Sequence, residues 1–246
     1  FLAGRTKRMS KRLEGRVAVV TGASRGIGAA VAERFAMEGA HIIAVARTVG
    51  GLEDLDDRVQ AAGSSATLVP LDITDYDGID RLGGAIAERW GKLDILVGNA
   101  AILGSLTPMG HIKPTDWDQI MAVNVTANWR LIRSLDPLLR ASDAGRAMFV
   151  TSGVAKGGFA YWGGYAISKA ALECMVTTYA AELGKTNAQA NIIEPGIVRT
   201  AMRAAAMPGE DPSTLPDPAS ITDVFVDLAD PACTRNGERL VVEMPS

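Results

Sequence analysis

The stretch "VAVVTGASRGIG" at residues 17–28 constrains the fold of this chain more than any other feature of the sequence. It joins a continuous apolar run, typical of a strand that is buried on both faces, to a turn with three glycines. A helical pattern follows, with Ile27, Val31 and Phe35 four residues apart and Gly39 as its stop signal. A strand, a glycine turn and a helix in this order predict the start of a β–α–β unit.

The same alternation of short apolar runs and helical stretches continues along all 246 residues. The runs predicted to be strands are 17–21, 42–46, 67–71, 93–98, 147–151, 190–193 and 239–243. Several are continuous rather than alternating, which indicates a parallel sheet covered on both faces. We therefore expect an α/β fold with one Rossmann-type, doubly wound sheet of about seven strands, mostly or all parallel, with helices on both faces.

The composition indicates a protein without disulfides or membrane spans. No apolar run reaches the length of about 18 residues that a membrane-spanning helix needs. Cys174 and Cys233 cannot form a disulfide framework, and the two histidines are far apart, so we expect no metal site. This cysteine usage predicts a reducing, cytoplasmic location.

Charge is distributed unevenly between the amino terminus and the rest of the chain. Residues 1–12 carry five basic residues and no acid, whereas the rest carries 20 basic against 28 acidic residues, a net charge of −8. An acidic body argues against nucleic acid as a partner. We expect residues 1–12 to be a basic, disordered arm, with phosphate binding as the alternative, and residues 13–246 to form a single domain. Met9 is a candidate native start, which would make residues 1–8 either foreign to the protein or the product of an alternative start.

The glycine turn predicts a nucleotide site. Its spacing is G-x-x-x-G-x-G, and Gly22, Gly26 and Gly28 allow the backbone to turn sharply and a ligand to approach closely. The following helix offers free N–H groups and the positive end of its dipole to a pyrophosphate. The residues of this turn expected to contact the nucleotide are Thr21, Gly22, Ser24, Arg25, Gly26, Ile27 and Gly28.

The end of the second predicted strand indicates which nucleotide binds. An acid there would hold the ribose 2′-hydroxyl of NAD and repel a 2′-phosphate. This chain has Ala46 followed by Arg47, and Arg25 in the glycine turn could reach the same group. Because arginine suits bidentate contact with phosphate, we expect NADP(H) to be preferred, with NAD(H) as the alternative. The competing interpretation makes Arg47 an ordinary surface residue at a strand end.

Two further segments carry patterns that suggest a site. Tyr165 and Lys169 in "GGYAISKAAL" are four residues apart, so a helix would place them on one face. Taken alone, the pair is more typical of an ordinary helix start. Residues 207–220 contain four prolines and are predicted to be a loop, either a surface excursion or a lid over a substrate site.

Several motifs stand in order along the chain: "TGASRGIG", Asp72 in "LDIT", "GNAA" at 98–101, Asn124 in "MAVNV", Ser152 in "FVTSG", "YAISK" at 165–169 and "EPGIVRT" at 194–200. The interval from Ser152 to Tyr165 is 13 residues. In these motifs, from about Gly15 to Val242, the chain resembles the short-chain dehydrogenase/reductase family in its standard-length branch.

The resemblance implies an oxidoreductase with four catalytic residues. Tyr165 would be the general acid in carbonyl reduction and the base in alcohol oxidation, and Ser152 would hydrogen-bond the reacting oxygen. Lys169 would lower the pKa of Tyr165 and bind the nicotinamide ribose, while Asn124 would hold a water that relays protons. A free tyrosine titrates at about 10, and a neighbouring cation would bring that value closer to neutral pH.

The resemblance also implies how the rest of the cofactor is held. Asp72 would hold the adenine, Asn99 the ribose region and residues 195–200 the nicotinamide end. The cofactor-binding residues expected on this basis are Arg47, Asp72, Ile73, Asn99, Ala100, Tyr165, Lys169, Pro195, Gly196, Val198 and Thr200. Two positions depart from the family pattern: Ala101 replaces a glycine near the cofactor, and Glu194 adds a charge near the nicotinamide.

The substrate pocket is expected to be apolar with two aromatic walls. Its expected residues are Ser152, Tyr165, Ala155, Phe159, Trp162 and the segments 102–106 and 200–220. No arginine cluster calls for a dianion, so we expect a ketone or secondary alcohol of medium size, with a 3-oxoacyl thioester of fatty-acid type as the alternative. A cofactor-binding sensor or scaffold without turnover is the alternative of another class, although it has no need of all four catalytic residues.

A homo-oligomer is the expected assembly. The resemblance implies that the helices after Asp116 and after Tyr165 pair across a two-fold axis and form a dimer or tetramer. Trp129, Met175 and Tyr179 are the apolar residues expected to lie beyond what the sheet covers. The competing interpretation packs these three side chains inside the subunit.

Overall fold

The structure, a computed structural model, describes residues 11–242. Its strands are β1 Val17–Thr21, β2 His41–Ala46, β3 Ala66–Pro70, β4 Ile95–Gly98, β5 Arg146–Val150, β6 Gln189–Glu194 and β7 Arg239–Val241. Its helices are α1 Gly26–Met37, α2 Val49–Ala61, α3 Tyr76–Trp90, α4 Pro114–Met121, α5 Ala127–Ala141, α6 Gly163–Leu183, α7 Ala201–Ala206 and α8 Asp223–Ala229. A π-helical turn, Ala122–Thr126, joins α4 to α5.

All the described strands lie in one parallel sheet with the order β3-β2-β1-β4-β5-β6-β7. This arrangement confirms the predicted Rossmann-type, doubly wound α/β fold. The chain builds outward from β1 to β3, then returns to the centre and builds outward again from β4 to β7. The connections that follow β1 and β4 therefore leave in opposite directions, and sheets of this kind bind ligands in the crevice that results.

Helices cover both faces of the sheet because the strand residues alternate between two apolar cores. Ala18 and Val20 of β1 face a core shared with α1, α2 and α8. Val17 and Val19 face the opposite core, which is shared with α3, α5 and α6. Each fully buried aliphatic side chain in these cores contributes about 1.5–3 kcal/mol by leaving water. The sheet is thus a packed platform for the residues at its carboxyl edge.

The amino end of the sheet is tied together by Asp94. Strand β4 begins directly after this residue, two residues later than predicted. The buried Asp94 carboxylate accepts hydrogen bonds from the Val17 N–H at 2.9 Å, from Lys92 at 2.9 Å and from the Ser142 hydroxyl at 2.6 Å. Burial alone would raise the pKa of Asp94, but these hydrogen bonds outweigh it and hold the pKa below its usual value.

The predicted basic arm, residues 1–12, falls almost entirely outside the described residues. Its last residue, Arg12, is described and is bound to the body of the protein. The Arg12 guanidinium donates to the Asp227 carboxylate at 2.7 Å and to the Asp230 carboxylate at 2.8 Å. Arg12 therefore joins the chain before β1 to the end of α8, which the sequence did not indicate.

The prediction that Tyr179 lies beyond the cover of the sheet was wrong. Tyr179 is buried in the core beneath α6, and its hydroxyl donates to the Asp136 carboxylate on α5 at 2.8 Å. Trp129 on α5, by contrast, is 48% exposed. Within residues 11–242, no helix combines the length and the apolar character needed to cross a membrane.

Candidate active site

A cleft of about 1480 Å³ opens at the carboxyl edge of the sheet, beside the switch point between β1 and β4. Its walls run from the glycine turn and the start of α1 to α6, α7 and the loop that follows α7. Most of the predicted cofactor residues line it: Gly22, Ser24, Arg25, Gly26, Ile27, Arg47, Asp72, Ile73, Asn99, Ala100, Tyr165, Lys169, Pro195, Gly196, Val198 and Thr200. Motifs that are far apart in the sequence therefore meet in one cavity.

The glycine turn has the backbone that a phosphate cradle requires. Gly22 and Gly26 have φ values of +66° and +58°, which residues with a Cβ rarely adopt. A Cβ at Gly28 would overlap the Gly22 carbonyl and the Asn99 side chain, so glycine is needed for α1 to pack against the turn. Among residues 11–242, no side chain caps the start of α1, which leaves its first N–H groups open to an anion.

Two of the predicted cofactor residues, Thr21 and Gly28, lie behind the cleft wall and support it. The Thr21 hydroxyl donates to the Val97 carbonyl at 3.1 Å and accepts from the backbone N–H of Asn99 at 3.0 Å and of Ala100 at 3.1 Å. The Asn99 amide donates to the Thr21 carbonyl at 2.9 Å. These bonds hold the loop after β4 against the glycine turn.

The end of β2 presents a basic side chain to the cleft. Ala46 ends the strand, and the guanidinium of Arg47 lies 3.7 Å from the Asp72 carboxylate. Burial would raise the pKa of Asp72, but hydrogen bonds from Thr74 and the charge of Arg47 lower it overall. Because the Arg47 side chain is largely exposed, this ion pair is weak and Arg47 can turn toward a phosphate. Arg58 of α2, which the sequence analysis missed, also lines this end of the cleft.

Helix α6 carries Tyr165 and Lys169 into the middle of the cleft on one of its faces. Both side chains are buried, and Lys169 is only 2% exposed. The Lys169 ammonium donates to the Val150 carbonyl at 2.8 Å and lies 5.7 Å from the centre of the Tyr165 ring. Ser152 follows β5 and lines the same part of the cleft. The structure therefore brings Ser152, Tyr165 and Lys169 together.

Burial dominates the protonation of this pair. It raises the pKa of Tyr165 to about 12, with the Ser152 side chain acting in the opposite direction. It lowers the pKa of Lys169 to about 8, with the Glu173 carboxylate acting in the opposite direction. We expected Lys169 to bring the pKa of Tyr165 down, but burial raises it, and the hydrogen bond with Ser152 is the effect that opposes burial. Near neutral pH, a protonated phenol therefore lies beside an ammonium.

Asn124 lies beneath the cleft wall rather than in it. It is fully buried in the π-helical turn, a backbone irregularity that often marks functional sites. Its side chain accepts from the Ile102 N–H and donates to the Ile102 carbonyl, each at 2.9 Å, and also donates to the Ser168 hydroxyl at 2.9 Å. Asn124 thus fixes the loop after β4 relative to the residue that precedes Lys169.

Of the two aromatic side chains expected in the substrate pocket, Trp162 lines the cleft and Phe159 does not. The ring of Trp162 lies beside that of Tyr165, with centres 6.2 Å apart. Phe159 is 52% exposed and lines a separate surface pocket of about 340 Å³ together with Met109 and Tyr161. Tyr161, which lies between the two aromatic residues, adopts a left-handed φ of +73°. The expectation for Phe159 is corrected accordingly.

The proline-rich segment 207–220 reaches the cleft and contains two short 3-10 turns, so it is only partly irregular. Two arginines that the sequence analysis missed fasten it. Arg203 binds the Glu210 carboxylate through two nitrogens, each at 2.6 Å, and Arg199 binds Asp217 at 2.6 Å. Both arginines line the cleft. The segment is therefore held against the cleft mouth by ion pairs to α7 and to the residues before it.

The two departures from the family pattern differ in their surroundings. Ala101 lines the cleft, so its methyl group borders the space expected for the cofactor. Glu194 lies outside the cleft wall, and its carboxylate is 2.5 Å from the Arg239 guanidinium. The charge expected near the nicotinamide is thus compensated. Ala155, which was expected in the substrate pocket, also lies outside the cleft wall.

The sequence matches the family model described as short chain dehydrogenase over residues 16–211. A curated relative, the uncharacterized oxidoreductase YciK of Escherichia coli K12, is 38% identical over 217 residues, which cover 87% of this chain and 86% of the relative. The 3-oxoacyl-[acyl-carrier-protein] reductase FabG of Vibrio harveyi is 33% identical, over 94% of this chain and 96% of the relative.

The fold has a close counterpart among solved structures. The crystal structure of a short chain dehydrogenase from Escherichia coli CFT073, complexed with NADPH, superposes with a TM-score of 0.90 at 36% identity. The superposition covers 94% of this chain and 98% of that chain. The segment matched by the family model includes the glycine turn, Ser152, Tyr165 and Lys169. This chain belongs to the short-chain dehydrogenase family and is an oxidoreductase.

Proposed function

We propose that this oxidoreductase transfers a hydride between NADP(H) and a carbonyl or secondary alcohol of medium size, with Tyr165 as general acid or base. The observation that carries the proposal is the meeting of Ser152, Tyr165 and Lys169 in the same cleft as a glycine turn suited to a phosphate. A sensor or scaffold without turnover has no need of this arrangement. Catalysis therefore accounts for the site better than cofactor binding alone.

The cleft residues fit NADP(H). The open start of α1 and the close approach permitted at Gly22 and Gly26 suit a pyrophosphate. Arg47 and Arg25 suit a 2′-phosphate, because both line the cleft and Ala46 stands where an acid would repel it. The similar structure from Escherichia coli CFT073 is complexed with NADPH, which supports the same choice. When bound, the nicotinamide supplies or accepts the hydride.

The side chains around the reacting centre have the protonation states that carbonyl reduction requires. Tyr165 is protonated near neutral pH and can donate its phenolic proton to the carbonyl oxygen. Ser152 can hydrogen-bond the same oxygen. The Lys169 ammonium stabilises the negative charge that is left on the phenolate. In alcohol oxidation the same groups act in reverse, and Tyr165 accepts the hydroxyl proton.

The walls of the substrate side favour an uncharged, apolar substrate. Trp162, Ile102 and Leu103 line this part of the cleft. Two arginines of the cleft, Arg199 and Arg203, are already paired with acids of the 207–220 segment. A substrate carboxylate or phosphate would have to compete with those acids, whereas a ketone with apolar substituents would not.

A 3-oxoacyl thioester is the second candidate substrate. The observation that favours it is the similarity to the Vibrio harveyi relative, a 3-oxoacyl-[acyl-carrier-protein] reductase that aligns over 94% of this chain. The thioester would use the same proton donor, since its reacting group is also a ketone. The two candidates differ in what must fit beside Trp162 and the 207–220 segment.

A substrate panel distinguishes these possibilities. Medium-sized ketones, secondary alcohols and 3-oxoacyl thioesters are each mixed with the protein and NADPH or NADP, and the absorbance of the nicotinamide is followed. A higher kcat/KM for ketones supports the first candidate, and a higher kcat/KM for thioesters supports the second. Tight NADPH binding by calorimetry, without turnover of any panel member, would contradict both and favour a sensor.

We further propose a homo-oligomer, either a dimer or a tetramer, in a reducing cytoplasm. Trp129 on α5 is half-exposed and Met175 on α6 is half-buried, so each helix presents an apolar side chain at the surface of the subunit. Cys174 and Cys233 are free thiols, which suits a reducing compartment. Light scattering at micromolar concentration should show a dimer or tetramer that Trp129→Glu dissociates, and a wild-type monomer would contradict the assembly.

A further inference from the structure

Glu173, Arg239 and Glu194 form a charge cluster beneath the reacting centre. The Arg239 Nε donates to the Glu173 carboxylate at 3.0 Å, and the Arg239 Nη2 lies 2.5 Å from the Glu194 carboxylate. Glu173 lies on α6, Arg239 on β7 and Glu194 on β6, and their side chains are between 14% and 22% exposed. Ion pairs taken out of water add little stability compared with well-packed apolar side chains. Their presence beneath the cleft therefore calls for a reason other than stability.

The charge cluster contacts the cleft wall at Thr151 and packs against the backbone of Gly153, two residues later. The Thr151 hydroxyl lines the cleft and donates to the Glu173 carboxylate at 2.6 Å. The Glu194 carboxylate packs so closely beneath Gly153 that a Cβ at that glycine would lie 2.7 Å from its oxygen. Glu173 also follows Lys169 by one turn of α6, which places the two side chains on the same helix face.

Lys169 needs a counter-charge because burial favours its neutral form. Its pKa is lowered to about 8 by burial, and Glu173 is the carboxylate that acts against this effect. The ammonium donates to the uncharged Val150 carbonyl, and no carboxylate of residues 11–242 pairs with it directly. The charged state of Lys169 therefore depends on the field of a carboxylate one helical turn away.

The titratable groups that face Lys169 can be assigned to the elements packed around it. On α6 they are Tyr165, which is protonated near neutral pH, and Glu173. Strand β5 contributes the uncharged Val150 carbonyl, and Asn124 of the π-helical turn, also uncharged, bonds the neighbouring Ser168. Glu194 on β6 and Arg239 on β7 act through their contact with Glu173. Glu173 thus supplies the negative charge, and Arg239 offsets part of it.

We propose that Glu173 is a positioning residue that keeps the Lys169 ammonium charged beneath the cofactor. Arg239 pairs with Glu173 and so reduces the effect of the Glu173 charge on Lys169. Glu194 pairs with the same guanidinium, so less of the Arg239 charge is available to offset Glu173. The charge cluster thereby sets how much positive charge is present beside Tyr165. The inference rests on the proposed role of Lys169, but the charge coupling itself can be measured without turnover.

Two substitutions separate charge coupling from a structural role, because they act in opposite directions. Glu173→Gln keeps an acceptor for Thr151 but removes the negative charge, and it should lower the titration midpoint of Lys169 by about one pH unit. Arg239→Gln leaves the Glu173 charge uncompensated and should raise the midpoint. Nuclear magnetic resonance of the full chain, isotope-labelled at the lysine Cε, measures the midpoint directly, and Lys169→Met assigns the signal.

Asp136→Asn is the matched control. It removes a carboxylate of α5 that is bonded to Tyr179 of α6, the helix that carries Lys169. This variant should leave the titration midpoint of Lys169 unchanged. Midpoints that stay at the wild-type value, or that move in the same direction in both variants, would overturn the proposal. If Glu173→Gln does not fold, Arg239→Gln decides alone, since an unchanged or lower midpoint refutes the coupling.

NADPH affinity measured over the same pH range tests the proposed role of Lys169 in cofactor binding separately from the charge coupling. If Lys169 binds the cofactor, the pH at which affinity falls should move with the midpoint, down in Glu173→Gln and up in Arg239→Gln. If the Lys169 titration midpoints move as expected while the pH dependence of NADPH affinity stays constant, the charge coupling is supported. That result would instead contradict the proposed role of Lys169 in holding the cofactor.

Discussion

The ammonium of Lys169 lies 5.7 Å from the centre of the Tyr165 ring, one helical turn along α6. At this separation the two groups influence each other's ionisation through space. Burial nevertheless dominates, since it raises the pKa of Tyr165 to about 12 and lowers that of Lys169 to about 8. Below the second value the phenol is protonated and the amine is charged. In that state the pair can donate a proton and stabilise the anion that remains.

Carbonyl reduction should slow as the pH rises through about 8, because Lys169 then loses its proton. The pKa of this cation is lowered, so its charged form is present below that value and lost above it. Lys169→Met removes the titrating group, so the fall of kcat/KM at alkaline pH, the alkaline limb of the profile, should disappear. The rate of this variant should be lower at every pH. Steady-state kinetics across the neutral and alkaline range measure both profiles. A limb that persists in Lys169→Met would assign the titration to another group.

Arg47→Gln should weaken NADPH binding roughly tenfold or more and leave NADH binding nearly unchanged, since it removes a charge-assisted bond to the 2′-phosphate. Its ion pair with Asp72 is exposed, so the fold should be little affected. Fluorescence titration with each cofactor measures the two affinities. Arg81→Gln removes an exposed ion pair with Asp75 outside the cleft and serves as the control. An equal loss for both cofactors would rule out the 2′-phosphate as the partner of Arg47.

Gly28→Ala should abolish tight NADPH binding and destabilise the fold, because the new Cβ would overlap the Gly22 carbonyl and the Asn99 side chain. Gly84→Ala adds the same methyl group on α3, where nothing lies within 4 Å of the Cβ. That control should be neutral or more stable by up to about 1 kcal/mol, since alanine favours a helix. Thermal unfolding and NADPH titration compare the two variants. Equal affinity in both would mean that the glycine turn is not the phosphate cradle.

Asp94→Asn should destabilise the protein at neutral pH by about 3 kcal/mol, because a buried carboxylate with three hydrogen-bond donors is replaced. The folded-state pKa of Asp94 is lowered. Its contribution is therefore present above the unfolded value of about 3.9 and is lost as the pH falls through the folded value. Urea unfolding at neutral and acidic pH should show that the difference from wild type shrinks on acidification.

The control for that experiment is Asp143→Asn, at a neighbouring carboxylate whose side chain is 78% exposed. Its ion pair with Arg16 is long, at 3.8 Å, so the free energy of unfolding should change by less than about 0.5 kcal/mol. A difference between Asp94→Asn and wild type that does not vary with pH would show that packing, rather than charge, accounts for the effect.

The sheet was predictable because its signals are local. Strand β1 has the predicted bounds, since four consecutive apolar residues and a threonine before a glycine turn leave little choice. Strand β4 shows the limit of such patterns. The prediction began this strand at Leu93, but the Asp94 side chain accepts a hydrogen bond from the backbone of Val17, 77 residues away, and the strand begins after Asp94. No local sequence pattern predicts a hydrogen bond between residues so far apart in the chain.

Predictability of the site follows the same division. The glycine turn and the spacing of Tyr165 and Lys169 are local features, and they meet in one cleft because the sheet aligns their elements. The sequence places Phe159 three residues before Trp162, but the structure places the two side chains in different pockets, which composition does not reveal. The pairing of Glu173 with Arg239 spans 66 residues, and no local pattern indicates it. The position of Glu173 one turn after Lys169 indicates only that Glu173 lies near the site.

Proton transfer by Tyr165 is the central claim, and a pair of matched variants tests it most directly. Tyr165→Phe and Tyr179→Phe each remove one hydroxyl from a buried tyrosine of α6, but the Tyr179 hydroxyl bonds Asp136 away from the cleft. The measurement is kcat for NADPH oxidation with the best carbonyl of the substrate panel, at saturating NADPH. Tyr165→Phe should turn over about 10²-fold or more slowly than wild type, with NADPH affinity retained, while Tyr179→Phe keeps the wild-type rate. Equal turnover in the two variants would contradict the assignment of Tyr165 as the proton donor.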